Sequence, residues 1–127
     1  MPKKIIRSPK VAATSLPLSQ ATLAGNVLYT YGAVAFNERG EIVGKGDIRA
    51  QTKQVLENIK ALVEAAGGTM RDVTQTTVYL TDMANSAGMN EVYRAYFPVD
   101  PPARATVRVD LGHPDFLIEI QGTAVVG

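Results

Sequence analysis

From Asp47 onward the apolar positions recur with a period near 3.6, placing Ile48, Val55, Ile59, Leu62, Val63 and Ala66 on one side of a helix and Lys53, Glu57, Lys60 and Glu64 elsewhere. Asp47 suits the cap that starts this helix, and Gly67 with Gly68 suits its end. A second helix is predicted over "SAGMNEVYRAYF", where Met89, Val92, Tyr93, Tyr96 and Phe97 recur at helical spacing before Pro98 stops it. That stripe reads as core packing rather than a cofactor box. Between the helices "DVTQTTVYL" alternates, with Thr74, Thr76, Val78 and Leu80 on one face of a strand and Val73, Gln75, Thr77 and Tyr79 on the other. Upstream, "NVLYTYGAVAF" reads as a strand bent or bulged at Gly32, and "NERGEIVG" as a turn after which Ile42 and Val43 form a short edge strand. Strands, helix, strand, helix and a strand pair make an α+β sheet with two helices on one face. Residues 1–127 are expected to form one domain.

The last two strands, from about Ala103 to Val109 and from about Phe116 to Val126, are expected to pair as a hairpin across "DLGHPD". Alternation puts Arg104, Thr106 and Arg108 on one face of the first, and Leu117, Glu119, Gln121 and Thr123 on one face of the second. The pairing then sets Arg104 opposite Glu119. One reading is an ordinary surface ion pair, worth less than about 1 kcal/mol. The other follows from the sheet face that the helices leave uncovered. With Leu117, Thr106, Thr76, Val78 or their neighbours it is too apolar to stay exposed, which implies an oligomer and a partly closed cleft at Arg104 and Glu119. There an arginine fork suits a small carboxylate, and a glutamate can hold or deprotonate a water. That pair suggests hydrolysis of a small acid without a cofactor.

Composition narrows the alternatives. A net charge of +1, from 13 basic and 12 acidic residues, provides no field for nucleic acid. The basic residues Lys3, Lys4, Arg7 and Lys10 have no interleaved aromatics and read as a solvated edge. No apolar run approaches the roughly 20 residues of a membrane span, and no apolar stretch of the secretory type follows Met1, so a cytoplasmic location is expected. The chain has no cysteine, and its single histidine, His113, stands between Gly112 and Pro114 as a turn residue, so no metal centre is expected.

"PARATV" with "IEI" downstream, together with "AGGTMRDVTQTTVYLTDM" and "MNEVYRAYF", resembles the RidA/YjgF family of enamine and imine deaminases over nearly the whole chain. "AAGGTMRDV" is similar to the RutC-like aminoacrylate deaminases and "HPDFLIEI" to the 2-aminomuconate deaminases. The resemblance implies a chorismate-mutase-like fold assembled as a homotrimer around a central barrel, with cofactor-free sites in the clefts between subunits. It further implies that Arg104 binds the substrate carboxylate, that Glu119 places the attacking water, that Gly32 offers backbone groups, and that Asn90 is the family asparagine of "MNEVY". Two positions depart from the pattern. Thr106 stands where the family often has cysteine, and "LPLSQA" puts Leu18 where it has tyrosine, a space that Tyr31 can partly fill. Family members are also described as endoribonucleases and translation inhibitors, which the charge balance does not favour. A ligand-sensing or holdase-like module is the alternative of a different class.

Overall fold

A computed structural model describes residues 2–127. Six strands, β1 (Lys4–Ile6), β2 (Ala21–Ala24), β3 (Val27–Thr30), β4 (Val73–Leu80), β5 (Ala103–Arg108) and β6 (Ile118–Val125), form one sheet in the order β1-β2-β3-β6-β4-β5. Helices α1 (Ile48–Ala65) and α2 (Ser86–Tyr96) connect β3 to β4 and β4 to β5, and both pack on one face of the sheet. The α+β sheet with two helices is therefore as expected. Among the described residues, no helix is long and apolar enough to cross a membrane.

Helix α1 starts where Asp47 accepts a hydrogen bond from the Ala50 amide at 3.1 Å. Its inner face buries Val55, Leu56, Ile59, Leu62 and Val63 completely against Leu28, Val78, Leu80, Ile118 and Ile120 of the sheet. Helix α2 closes the core with Met89 and Tyr93, followed by Phe97 at its end, all buried, and Tyr93 shares a 2.6 Å hydrogen bond with Thr76 of β4.

The expected hairpin between the last two strands does not form. β5 pairs in parallel with β4, β6 pairs antiparallel with the other edge of β4, and β4 lies between them. A strand, a helix and a strand in sequence make a crossover unit, which returns β5 parallel to β4. The link from Val109 to Leu117 is also no tight turn. Val109 donates to Leu80 and Leu117 accepts from Thr81, so this link straddles the end of β4. Arg104 is thus in register with Thr76, and Glu119 with Tyr79.

This topology also reverses one face assignment. Thr76 and Val78 are fully buried beneath the helices, so neither lies on the uncovered face, while Leu117, just before β6, is partly buried against the core. Arg104, Thr106 and Arg108 share the helix-side face of β5 through their register with Thr76, Val78 and Leu80. The uncovered face instead presents Ile5, Tyr29, Val107 and Val125, which are 42%, 47%, 39% and 43% exposed. An apolar uncovered face is present, built from other residues than expected.

The strand expected over "NVLYTYGAVAF" is shorter, ending at Thr30. Tyr29 pairs with Thr123, and Ala33 next pairs with Ile120, so four steps along one chain span three along the other. The extra residue is a bulge covering Gly32, stabilised by the Thr30 hydroxyl accepting from the Gly122 amide at 2.9 Å. Ile42 forms an isolated bridge to Phe36, flanked by hydrogen bonds from the Val43 amide to the Ala35 carbonyl and from the Asn37 amide to the Glu41 carbonyl, so the expected edge strand is reduced to one bridge. The basic residues Lys3, Lys4, Arg7 and Lys10 are all exposed, and Lys4 lies in the edge strand β1.

Candidate active site

Glu119 lies on the face of β6 turned away from the helices, because its neighbours Ile118 and Ile120 are the fully buried ones. Its carboxylate is half-buried, and among the described residues no cation or hydrogen-bond donor of the chain reaches it. Burial alone lifts its pKa above the ordinary carboxylate value. The bulge brings Gly32 against it so closely that a Cβ at that position would land on the carboxylate. Only glycine leaves the acid its place.

Around Glu119 is a cavity of about 510 Å³ whose walls include Tyr31, Gly32, Leu18, Val34 and Phe36. Burial raises the Tyr31 phenol to about 12, so it stays a neutral donor at ordinary pH. Two buried polar side chains of α1 hold these walls. Asn58 donates to the carbonyls of Val34 and Phe36 at 3.1 and 3.0 Å. Gln51 donates to the Asp115 carbonyl at 2.8 Å and accepts from the Leu117 amide at 2.9 Å, which fixes the chain entering β6. A third tie, from Gln20, accepts from the Ser8 amide at 2.9 Å and anchors the segment that leads to Leu18.

Arg104 lies on the opposite face. Its guanidinium donates to the Asn90 side-chain oxygen at 2.8 Å, contacts the Met89 sulfur at 3.7 Å and lies 4.7 Å from the Tyr93 ring centroid. Asn90 is thereby a support for the arginine, which uses one edge of the fork and leaves the rest exposed. No carboxylate pairs with it among the described residues. A second cavity of about 310 Å³ opens here, lined by Asn90, Tyr93, Arg94, Pro102 and Arg104. Thr106 follows on the same face of β5.

The sequence-predicted residues therefore gather into two groups. Glu119, Gly32, Tyr31 and Leu18 share one cavity, and Arg104 and Asn90 share the other, with the sheet between them. One chain does not bring the two charges together. Gln51, Asn58 and Tyr93 were not singled out for the site from the sequence. A signal existed for two of them, since Gln51 and Asn58 fall on the α1 stripe of Val55, Ile59 and Leu62, where a polar side chain needs a partner. His113 is a turn residue, its ring accepting from the Asp115 amide at 3.0 Å.

The family profile described as Endoribonuclease L-PSP matches residues 8–126. RidA from the Antarctic bacterium Psychrobacter sp. is 36% identical, with 97% of this chain and 99% of that chain covered and a TM-score of 0.90. The YjgF gene product of E. coli is 36% identical, with 96% and 98% covered and a TM-score of 0.89. E. coli TdcF, solved with bound serine, is 33% identical, with 98% and 99% covered and a TM-score of 0.90. With nearly its whole length matched by the profile and by structures of this similarity, the chain belongs to the RidA/YjgF family.

Proposed function

We propose that the protein hydrolyses 2-imino acids, and the enamines that tautomerise to them, to 2-keto acids and ammonia, at sites formed between subunits of a homotrimer. The observation that carries this reading is the half-buried Glu119 carboxylate, unpaired among the described residues and seated on Gly32 in an open cavity with its pKa raised. A carboxylate without a structural partner is available for proton transfer. Arg104, steadied by Asn90 and Tyr93, supplies the complementary charge for a substrate carboxylate. Since the two lie on opposite faces of one sheet, they meet only if Arg104 of one subunit faces Glu119 of the next. The uncovered apolar face supports such an assembly. The serine bound to TdcF is a small molecule with a carboxylate beside an amine-bearing carbon, in keeping with this ligand class.

In the reaction, Glu119 takes a proton from water as the water oxygen bonds to the imine carbon, and the proton passes to the imine nitrogen. The carbinolamine then loses its hydroxyl proton to the same carboxylate. The C–N bond breaks, the nitrogen receives that proton and leaves as ammonia, and the C=O bond forms. Proton handling and positioning are what this chain contributes.

The test supplies imines in situ from an amino-acid oxidase and follows ammonia and keto-acid release. Glu119→Gln is expected to slow the enzyme about 10²- to 10⁴-fold. Arg104→Ala is expected to lower kcat/KM by about 10- to 100-fold, the worth of a charged hydrogen-bond pair. Full activity in either variant would refute the assignment. Binding of 2-oxobutanoate with no imine accelerated would favour a ligand sensor instead.

A further inference from the structure

The walls of the Glu119 cavity differ in chemistry from its carboxylate. Leu16, Leu18, Val34, Phe36 and Phe116 are among its lining residues, and no lysine, arginine or histidine is. Phe36 and Phe116 meet edge to face, with ring centroids 5.3 Å apart and planes at 84°, so this part of the wall is packed in a defined geometry. Asn58 holds the backbone at Val34 and Phe36, and Gln51 holds it on either side of Phe116. At about 510 Å³ the cavity lies within the range of sites that enclose whole small molecules. With the substrate carboxylate held at Arg104, the imine carbon at Glu119 fills only a small part of it.

We propose that this cavity receives the substrate's side chain, and that it selects 2-imino acids with branched aliphatic or aromatic side chains over those bearing a methyl group or a second carboxylate. The proposal rests on the deaminase reading above and names its substrate class. Apolar walls reward each carbon taken out of water, so a larger side chain raises kcat/KM. A second carboxylate placed here meets apolar surface and the Glu119 charge, with no cation among the lining residues to compensate it. The arginines Arg94 and Arg104 line the other cavity, where they serve the end of the substrate that every member of the class shares.

The experiment generates imines from alanine, leucine, phenylalanine and glutamate at matched rates of supply, and reads the fall in imine trapped by semicarbazide when the protein is added. Values of kcat/KM for the leucine and phenylalanine imines are expected to exceed those for alanine and glutamate by about tenfold or more. Leu18→Asn, of similar size but polar, is expected to lower the leucine-to-alanine ratio by about fourfold, the worth of roughly one buried methylene. Equal rates for all four imines, or a preference for alanine, would overturn the proposal and leave the deaminase intact. A preference for glutamate would also overturn it, moving the side chain to the Arg94 side. If no imine is accelerated, the deaminase reading itself fails and takes this proposal with it.

Discussion

A carboxylate that is half-buried, unpaired and set against a glycine costs the fold something whenever it is ionised. The sign follows from its raised pKa. Between the ordinary carboxylate value and the folded one, the native state holds a proton that the unfolded chain has released, so stability falls as pH rises through that window. Above it the penalty is complete. Glu119→Gln, which keeps the shape without the charge, is therefore expected to unfold at a higher temperature than the unmodified protein at pH 7, with the two converging under mildly acid conditions. Thermal melts at several pH values check this. On the proposed reaction, the same raised pKa is expected to set the acid limb of kcat/KM above the usual carboxylate range, with activity rising as Glu119 loses its proton. A limb at the pH of a free carboxylate would separate Glu119 from the rate. More stable and less active together is the pattern of a residue kept for chemistry.

At the scale of elements, α1 supports the sheet and holds the site through two side chains. Gln51 satisfies a carbonyl and an amide where the chain enters β6, two residues before Glu119. Gln51→Leu leaves both part-buried backbone groups without their partner and is expected to cost about 1–3 kcal/mol, measurable by urea unfolding. How much of this was legible in advance differs by element. Both helices were readable nearly to the residue, because the apolar period and the caps Asp47 and Gly67 are local signals. The bulge at Gly32 was readable for the same reason. The partners of β5 and β6 were not. Alternation states which residues share a face and is silent on which strand lies alongside, so two consecutive strands looked like a hairpin. The strand–helix–strand order of β4, α2 and β5 already pointed to a parallel crossover. Strands β1 and β2 were missed because "KII" and "ATLA" are too short for a pattern to emerge.

For the whole molecule, the sheet has one face under the helices and one without cover. Ile5, Tyr29, Val107 and Val125 on the second face come from four strands, so the apolar surface runs across the sheet. A surface of this kind is expected to be closed by other copies of the chain, and native mass measurement is expected to give a trimer. Val125→Asp places a charge on that face away from both cavities. It is expected to yield a monomer whose far-ultraviolet circular dichroism is unchanged and which lacks the proposed imine hydrolysis. A monomeric variant that still hydrolyses imines would remove the need for the second subunit.

The sheet that separates Arg104 from Glu119 has a genetic consequence. If each site takes its arginine from one subunit and its glutamate from the next, two inactive proteins can repair each other. Mixing Arg104→Ala and Glu119→Gln chains during refolding would pair an intact arginine with an intact glutamate at about a quarter of the clefts of randomly assembled rings. Activity returning from two dead parents would report the arrangement of the site without a structure of the assembly. A single damaged allele would likewise spoil clefts shared with healthy subunits, since each chain contributes to two.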